Sequence, residues 1–188
     1  MFACQSICNL LGTSNEVDTK LIDRVFSMFL DMQSRKARQL LANGLYTTLS
    51  SRGYAVSEPI LMIVVNLNTV KKGTADIDFD LDKVLNAIKH ITKYDSSTML
   101  ALDLNLLVYG VLYLLANEEF SVREYSEHAL AHLLPNLSEA LVKLVERQLV
   151  QYIRSIRDEM IMKTVLTSLR SLVMFSKSLS FDCMSKDL

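Results

Sequence analysis

Thr98-Met99-Leu100-Ala101-Leu102-Asp103-Leu104-Asn105-Leu106-Leu107-Val108-Tyr109-Gly110-Val111-Leu112-Tyr113-Leu114-Leu115, closed by Asn117, is the stretch whose reading decides the fold. It is followed by Ser121-Val122-Arg123-Glu124, a second, amphipathic segment, and a stop at Pro135. A helix apolar on nearly every side persists in water only where neighbours cover most of it, so this pair reads as the central unit of a stacked helical array. The second segment keeps one wet face.

Outward from this unit, composition sets the class. Half of the 188 residues are hydrophobic, enough for one domain with a real core. Five Gly and two Pro are too few for a turn-rich β-sandwich, so the chain is expected to be all-α. A formal net charge of −1 draws the whole chain neither to nucleic acid nor to an anionic membrane, and any such binding must come from a local patch. The three cysteines, Cys4, Cys8 and Cys183, lack Cys-x-x-Cys spacing, which fits buried thiols in a reducing compartment. The first basic residue is Lys20, so the apolar start has no positive signal-peptide region and an intracellular location is expected.

Read in order, residues 1–11 form a short helix ended by Gly12, taken as the second helix of a unit whose first is missing. That makes the chain an expected fragment of a longer one. Ser14 or Asn15 caps the next helix, with Val17, Leu21, Val25, Met28 and Phe29 on one face, and its hairpin partner runs from near Ser34 to Gly53. Ser57-Glu58-Pro59 is a helix start, since proline has no use for an N–H in the first turn. Ile60 to Val65 alone would also suit a buried strand, but such a strand would have nothing to pair with, and the helix is expected to end at Gly73. Asp80 caps an amphipathic helix with Leu81, Val84, Leu85, Ile88 and Ile91 inward. Ser97 and a capping box, Ser121-x-x-Glu124, are expected to start the central pair. Ser138 opens a helix with Leu141, Leu144, Val145, Leu149 and Tyr152 buried, and a last helix carries Ile161 to Val173.

The starts Ser14, Ser57, Ser97 and Ser138 recur about every 40 residues, the period of two-helix HEAT or armadillo-type repeats. The fold expected is an α-solenoid of about four stacked hairpins with an orphan N-terminal helix. It occupies residues 1–176 as a single domain, and 177–188 form a frayed tail. A four-helix bundle is the rival, with too few helices for this pattern.

Candidate sites follow. Asp76-x-Asp78-x-Asp80-x-Asp82 opens like a calcium loop but has Leu81 and Ala87 where the sixth-position Gly and the twelfth-position Glu belong, so a solvated acidic loop is expected. His128 and His132 have metal-ligand spacing without the Glu or Cys a zinc site needs, so no metal is expected. Asp103 and Asn105 lie in the most apolar helix, where an unpaired polar group costs about 1–3 kcal/mol, and are expected to bond a neighbouring helix or loop. Tyr109 and Tyr113 are core residues with hydroxyls reaching the surface. A membrane span is disfavoured by the central Asp103, at about 2.5–3.5 kcal/mol, and by the lack of Lys or Arg between Lys93 and Arg123. Candidate contacts to RNA or a partner are Arg35, Lys36 and Arg38 at one helix start and Lys143, Arg147, Arg154 and Arg157 in the last hairpin. Lys163 and Arg170 accompany them, and interleaved Glu139, Glu146, Asp158 and Glu159 partly cancel their field. With no phosphate loop, nucleophile elbow or histidine constellation, neither catalysis, a cofactor nor a small-molecule substrate is expected.

From Leu107 to Leu130 the text resembles a HEAT hairpin, with Val122-Arg123 at the start of its second helix. It also resembles the DRIM region of the giant nucleolar HEAT scaffold of the small-subunit processome, where a similar apolar helix is followed by an acidic turn and an Arg-rich start with a nearby Ala. The likeness is specific over about thirty residues and one of pattern elsewhere; the modest basic charge departs from it and weighs against direct RNA contact. It implies non-enzymatic scaffolding of ribosomal RNA processing in the nucleolus, with protein partners along the solenoid surface and RNA within a large ribonucleoprotein. Two other readings stay open. One is a cytoplasmic HEAT adaptor for a peptide or helix in transport or cytoskeletal assembly. The other is an enzyme with a polar pocket around Asp103 and the nearby histidines.

Overall fold

The computed structural model describes residues 19–51, 55–71 and 79–175. The described residues form eight α-helices: α1 (Thr19–Asp31), α2 (Arg35–Ser51), α3 (Glu58–Leu67), α4 (Leu81–Ile91), α5 (Ala101–Leu114), α6 (Phe120–Leu133), α7 (Glu139–Ser155) and α8 (Glu159–Phe175). Short 3-10 turns at Ser96–Thr98 and Leu134–Asn136 join α4 to α5 and α6 to α7. The short N-terminal helix, the caps at Ser14 or Asn15, Asp76, Asp78, the three cysteines and the C-terminal tail lie outside the described residues.

The ambiguous Ile60–Val65 run is helical, within α3. Pro59 sits in its first turn, and Ile60, Leu61, Ile63, Val64 and Leu67 are buried along it. It stops at Leu67, well before Gly73, because Asn68 turns its side chain back onto the helix: Nδ2 donates to the Val64 carbonyl at 2.8 Å. The chain then runs into an isolated antiparallel bridge between Val70 and Phe79, the one β feature among the described residues.

Helices α3 and α4, α5 and α6, and α7 and α8 are antiparallel hairpins. In one layer α3 and α7 flank α5; in the other α4 and α8 flank α6. This is the stacked array of the solenoid. The first two helices do not close on each other as a regular hairpin, since α1 lies chiefly along α5 while α2 lies chiefly against α3. Val25, Phe26 and Phe29 are the buried ridge of α1, and the Phe26 ring meets Tyr109 of α5 edge-on at 6.2 Å.

Helix α5 therefore has neighbours on four sides, α1, α3, α6 and α7. Leu104, Leu106, Leu107, Val108, Val111, Leu112 and Leu114 are all buried on it, a gross burial on the order of 10–20 kcal/mol. Its partner α6 buries Val122, Ala129, Leu130 and Leu133 and leaves Glu124 and His128 exposed. At Gly110 a Cβ would lie 2.9 Å from Leu67 Cδ1, so glycine lets the end of α3 approach the α5 backbone.

Three starts differ from the sequence reading. Ser97 does not cap α5; Asp95 caps the 3-10 turn, accepting from the Ser97 N–H at 2.9 Å, and α5 begins after Leu100. Nor is Ser121-x-x-Glu124 a capping box, because α6 begins at Phe120 and its N-cap position is Glu119. Asn117 organises that turn instead, its Oδ1 accepting from the Glu119 N–H at 2.9 Å. Ser57 stands at the N-cap of α3, yet its hydroxyl bonds outside its own helix. By contrast Asp80 and Ser138 cap α4 and α7 from the expected positions.

Candidate interaction surface

Polar side chains tie the stack along its two ends. At one end lie the turns that connect successive hairpins. Asp103, 1% exposed on α5, accepts from the Ser57 N–H at 2.8 Å and from the Ser57 hydroxyl at 2.6 Å, so the carboxylate caps α3 from a neighbouring helix. Both of its oxygens are occupied. Next along, His132 Nε2 lies 2.8 Å from the Tyr94 carbonyl, and since a carbonyl only accepts, that ring nitrogen carries the hydrogen. The Ser96 hydroxyl donates to the His132 carbonyl at 3.1 Å and accepts from Asn136 Nδ2 at 2.7 Å. Asp95, beside them, is held below the usual carboxylate range, chiefly by the hydrogen bond from the Ser97 hydroxyl. His128 is exposed one turn away. Among the described residues no group of three or more His, Cys, Asp or Glu gathers, and no helix is long and apolar enough to cross a membrane.

The opposite end holds a buried cation. Arg38, singled out as a surface contact, is 1% exposed and takes no part in an outer surface. Its Nε donates to Asn68 Oδ1 at 3.0 Å, and its guanidinium stacks 3.4 Å above the Tyr113 ring and 5.3 Å from that of Phe29. One terminal nitrogen has no hydrogen-bond partner among the described residues. Burial pushes the group down to about 10, still charged at neutral pH. Arg35 stacks on Phe79, which meets Tyr113 edge-on at 6.4 Å. From α7, the Tyr152 hydroxyl donates to the Leu112 carbonyl of α5 at 3.2 Å. The Arg123 of the Val-Arg pair is buried as well, its Nη1 donating to the carbonyls of Asn117 at 2.8 Å and Glu118 at 2.7 Å and so fixing the α5–α6 turn.

Burial pushes the Tyr152 phenol up to about 12, against the hydrogen bond from Gln148 and the charge of Arg38. The folded state thus keeps a proton that the unfolded chain releases near pH 10, so this contribution is complete below pH 10 and is lost between about 10 and 12. Tyr152→Phe is expected to cost about 1 kcal/mol at neutral pH and to unfold less steeply with alkali than the wild type, read by circular dichroism across that window.

The remaining basic candidates are on the surface. Lys143, Arg147 and Arg154 line the exposed side of α7, and Arg157 follows in the turn to α8. Lys143 is paired with Glu139 at 2.6 Å, an exposed contact of small net value, and that pairing holds the Glu139 carboxyl below its usual range. Lys36 is exposed and Arg35 half-buried at the start of α2. Because Arg38 stacks on Tyr113 and Tyr152 bonds the adjacent Leu112 carbonyl, the start of α2 and the end of α7 come to the same end of the stack. Asn105, coupled with Asp103 in the sequence reading, is half-buried. The sequence reading missed Phe29, Phe79 and Asn68 as the setting of Arg38; the phase of Arg38 with Leu41, Leu45 and Leu49 on α2 is the signal that places it inward.

A family described as "U3 small nucleolar RNA-associated protein 20, N-terminal" matches residues 3–174. The chain belongs to that family. The match spans nearly all of the chain and agrees with the processome resemblance carried by Leu107 to Leu130. No curated protein and no solved structure matches the chain significantly.

Proposed function

We propose that the chain is a non-enzymatic scaffold module that serves ribosomal RNA processing and small-subunit assembly in the nucleolus. The observation that carries this reading is the family match over residues 3–174, a family whose description names association with the U3 small nucleolar RNA. The array supports it: polar residues that the sequence offered as a pocket are engaged in holding helices together, as Asp103 is by Ser57. Protein partners lie along the surface of the stack. The test is to tag the protein in cells, fractionate the lysate by size and probe for U3 RNA and ribosomal RNA precursors. Co-sedimentation with them, and accumulation of uncleaved precursor on depletion, is the expected result; normal processing after depletion overturns it.

Within that role, the exposed Arg147, Arg154 and Arg157 of the last hairpin, with Lys143 and with Arg35 and Lys36 at the shared end, form the surface proposed to meet RNA phosphates. Such contacts release counterions and are salt-dependent. Arg147→Glu combined with Arg154→Glu is expected to weaken binding of a precursor RNA segment about tenfold and to lower the salt slope by about two, measured by filter binding. An unchanged slope removes these residues from the RNA surface. Pull-down of a protein partner without RNA would favour the adaptor reading.

A further inference from the structure

Helix α8 carries more than the face it buries. Its inner arc, Ile161, Thr164, Val165, Ser168 and Leu172, packs on α6 and α7. Beside that arc runs a second apolar line, Met162, Leu166, Leu169 and Val173, spaced 4, 3 and 4, which is the a and d spacing of a helix seam. Two of its members are open, Leu166 at 49% and Val173 at 39% exposure, while Met162 and Leu169 are half-buried, Leu169 against the core. On its far side stand Lys163 and Arg170, seven residues apart and both exposed, at the positions that flank such a seam, with Glu159 one turn before Lys163 the one acidic residue on that side of the helix. Going round the helix, the order is therefore buried arc, open apolar line, basic edge.

The layer built from α4, α6 and α8 packs each helix on the next, so the open line lies next to an interface that already repeats. The geometry points to this face of α8 as a docking groove for an amphipathic α-helix of a partner protein, apolar at its a and d positions and acidic at the flanking ones. The seam spacing selects a helix over an extended peptide, whose side chains alternate with period two. The Lys163 and Arg170 edge selects the sign of the partner's flank. This groove does not depend on the RNA reading, which rests on α7.

The test uses the full chain and two synthetic helical peptides, each with leucine at a and d, one with glutamate and one with lysine at e and g, titrated by fluorescence anisotropy at concentrations where the peptides are monomeric. The wild type is expected to bind the glutamate peptide about tenfold more tightly than its lysine twin. Leu166→Asp loses both, and Lys163→Glu with Arg170→Glu reverses the preference. Because Leu166 is exposed, its variant keeps the wild-type melting curve; Val173→Asp replaces it if it does not. Binding of neither peptide, or a preference untouched by the charge reversal, overturns the proposal. So does self-association abolished by Leu166→Asp, which assigns the face to a second copy. Binding that appears only after residues 176–188 are removed overturns it too, in favour of the chain's own end. RNA binding unaltered by Leu166→Asp is expected and separates this groove from the surface on α7.

Discussion

Replacing Asp103 by alanine is expected to lower the stability by about 3 kcal/mol, the value of two charge-assisted hydrogen bonds to a buried carboxylate. The side chain is 1% exposed and spends both oxygens on Ser57, at 2.8 and 2.6 Å. Alanine leaves the first turn of α3 without its cap and the carboxylate's site on α5 empty. Asp103→Asn keeps one acceptor and removes the charge that favours a helix N-terminus, so it costs about half as much. Ser57→Ala removes only the hydroxyl bond and costs about 1–2 kcal/mol. In urea unfolding, the double variant Ser57→Ala with Asp103→Ala is expected to cost less than the sum of the singles, because the two groups act on each other. An Asp103→Ala midpoint equal to that of the wild type would show the contact to be without energetic consequence.

At the other end of the stack, Arg38→Ala is expected to cost about 3 kcal/mol, whereas Arg38→Met stays within about 1 kcal/mol of the wild type. The reason lies in what surrounds the guanidinium. Among the described residues no carboxylate neutralises it; one amide oxygen and two rings receive it, and one nitrogen finds no partner. A buried cation so placed contributes chiefly by filling space between α1, α2, α3 and α5, which methionine also does without the desolvation cost. Alanine opens a cavity instead. Thermal melts of the two variants decide the matter, and equal losses in both would mean that the charge, through Tyr113 and Asn68, is what stabilises. RNA binding by either folded variant is expected to match the wild type, since Arg38 reaches no surface.

The helical class, the central position of the Leu100–Leu115 segment and the start at Ser57-Glu58-Pro59 were legible because each rests on local chemistry: apolar saturation of a helix and the indifference of a first turn to a missing N–H. What was not legible rests on contacts distant in sequence. Asp103 announces a need for a partner without naming Ser57, which lies 46 residues earlier. The attachment of α1 to α5 follows from the fit of Phe26 against Tyr109, which no local pattern shows. Arg38 misled because Arg35-Lys36-x-Arg38 reads as one charged run, while its helical phase splits it between a half-buried Arg35, an exposed Lys36 and a core Arg38. The Ser121-x-x-Glu124 spacing matched a capping box, yet Asn117 and Arg123 had already fixed that turn through its backbone.

The ties at the two ends of the stack have a mechanical consequence. Helical arrays usually bend by small slips between one hairpin and the next. Here Ser57–Asp103 and Tyr94–His132 cross-brace one rim, and Arg38–Asn68 and Tyr152–Leu112 the other, so flexing in either direction must break a polar contact, the Arg38–Asn68 one buried and the Tyr94–His132 one exposed. The helices from α2 to α7 are thereby tied at both rims as a plate is, which resists bending and steadies the spacing of whatever grips its two sides.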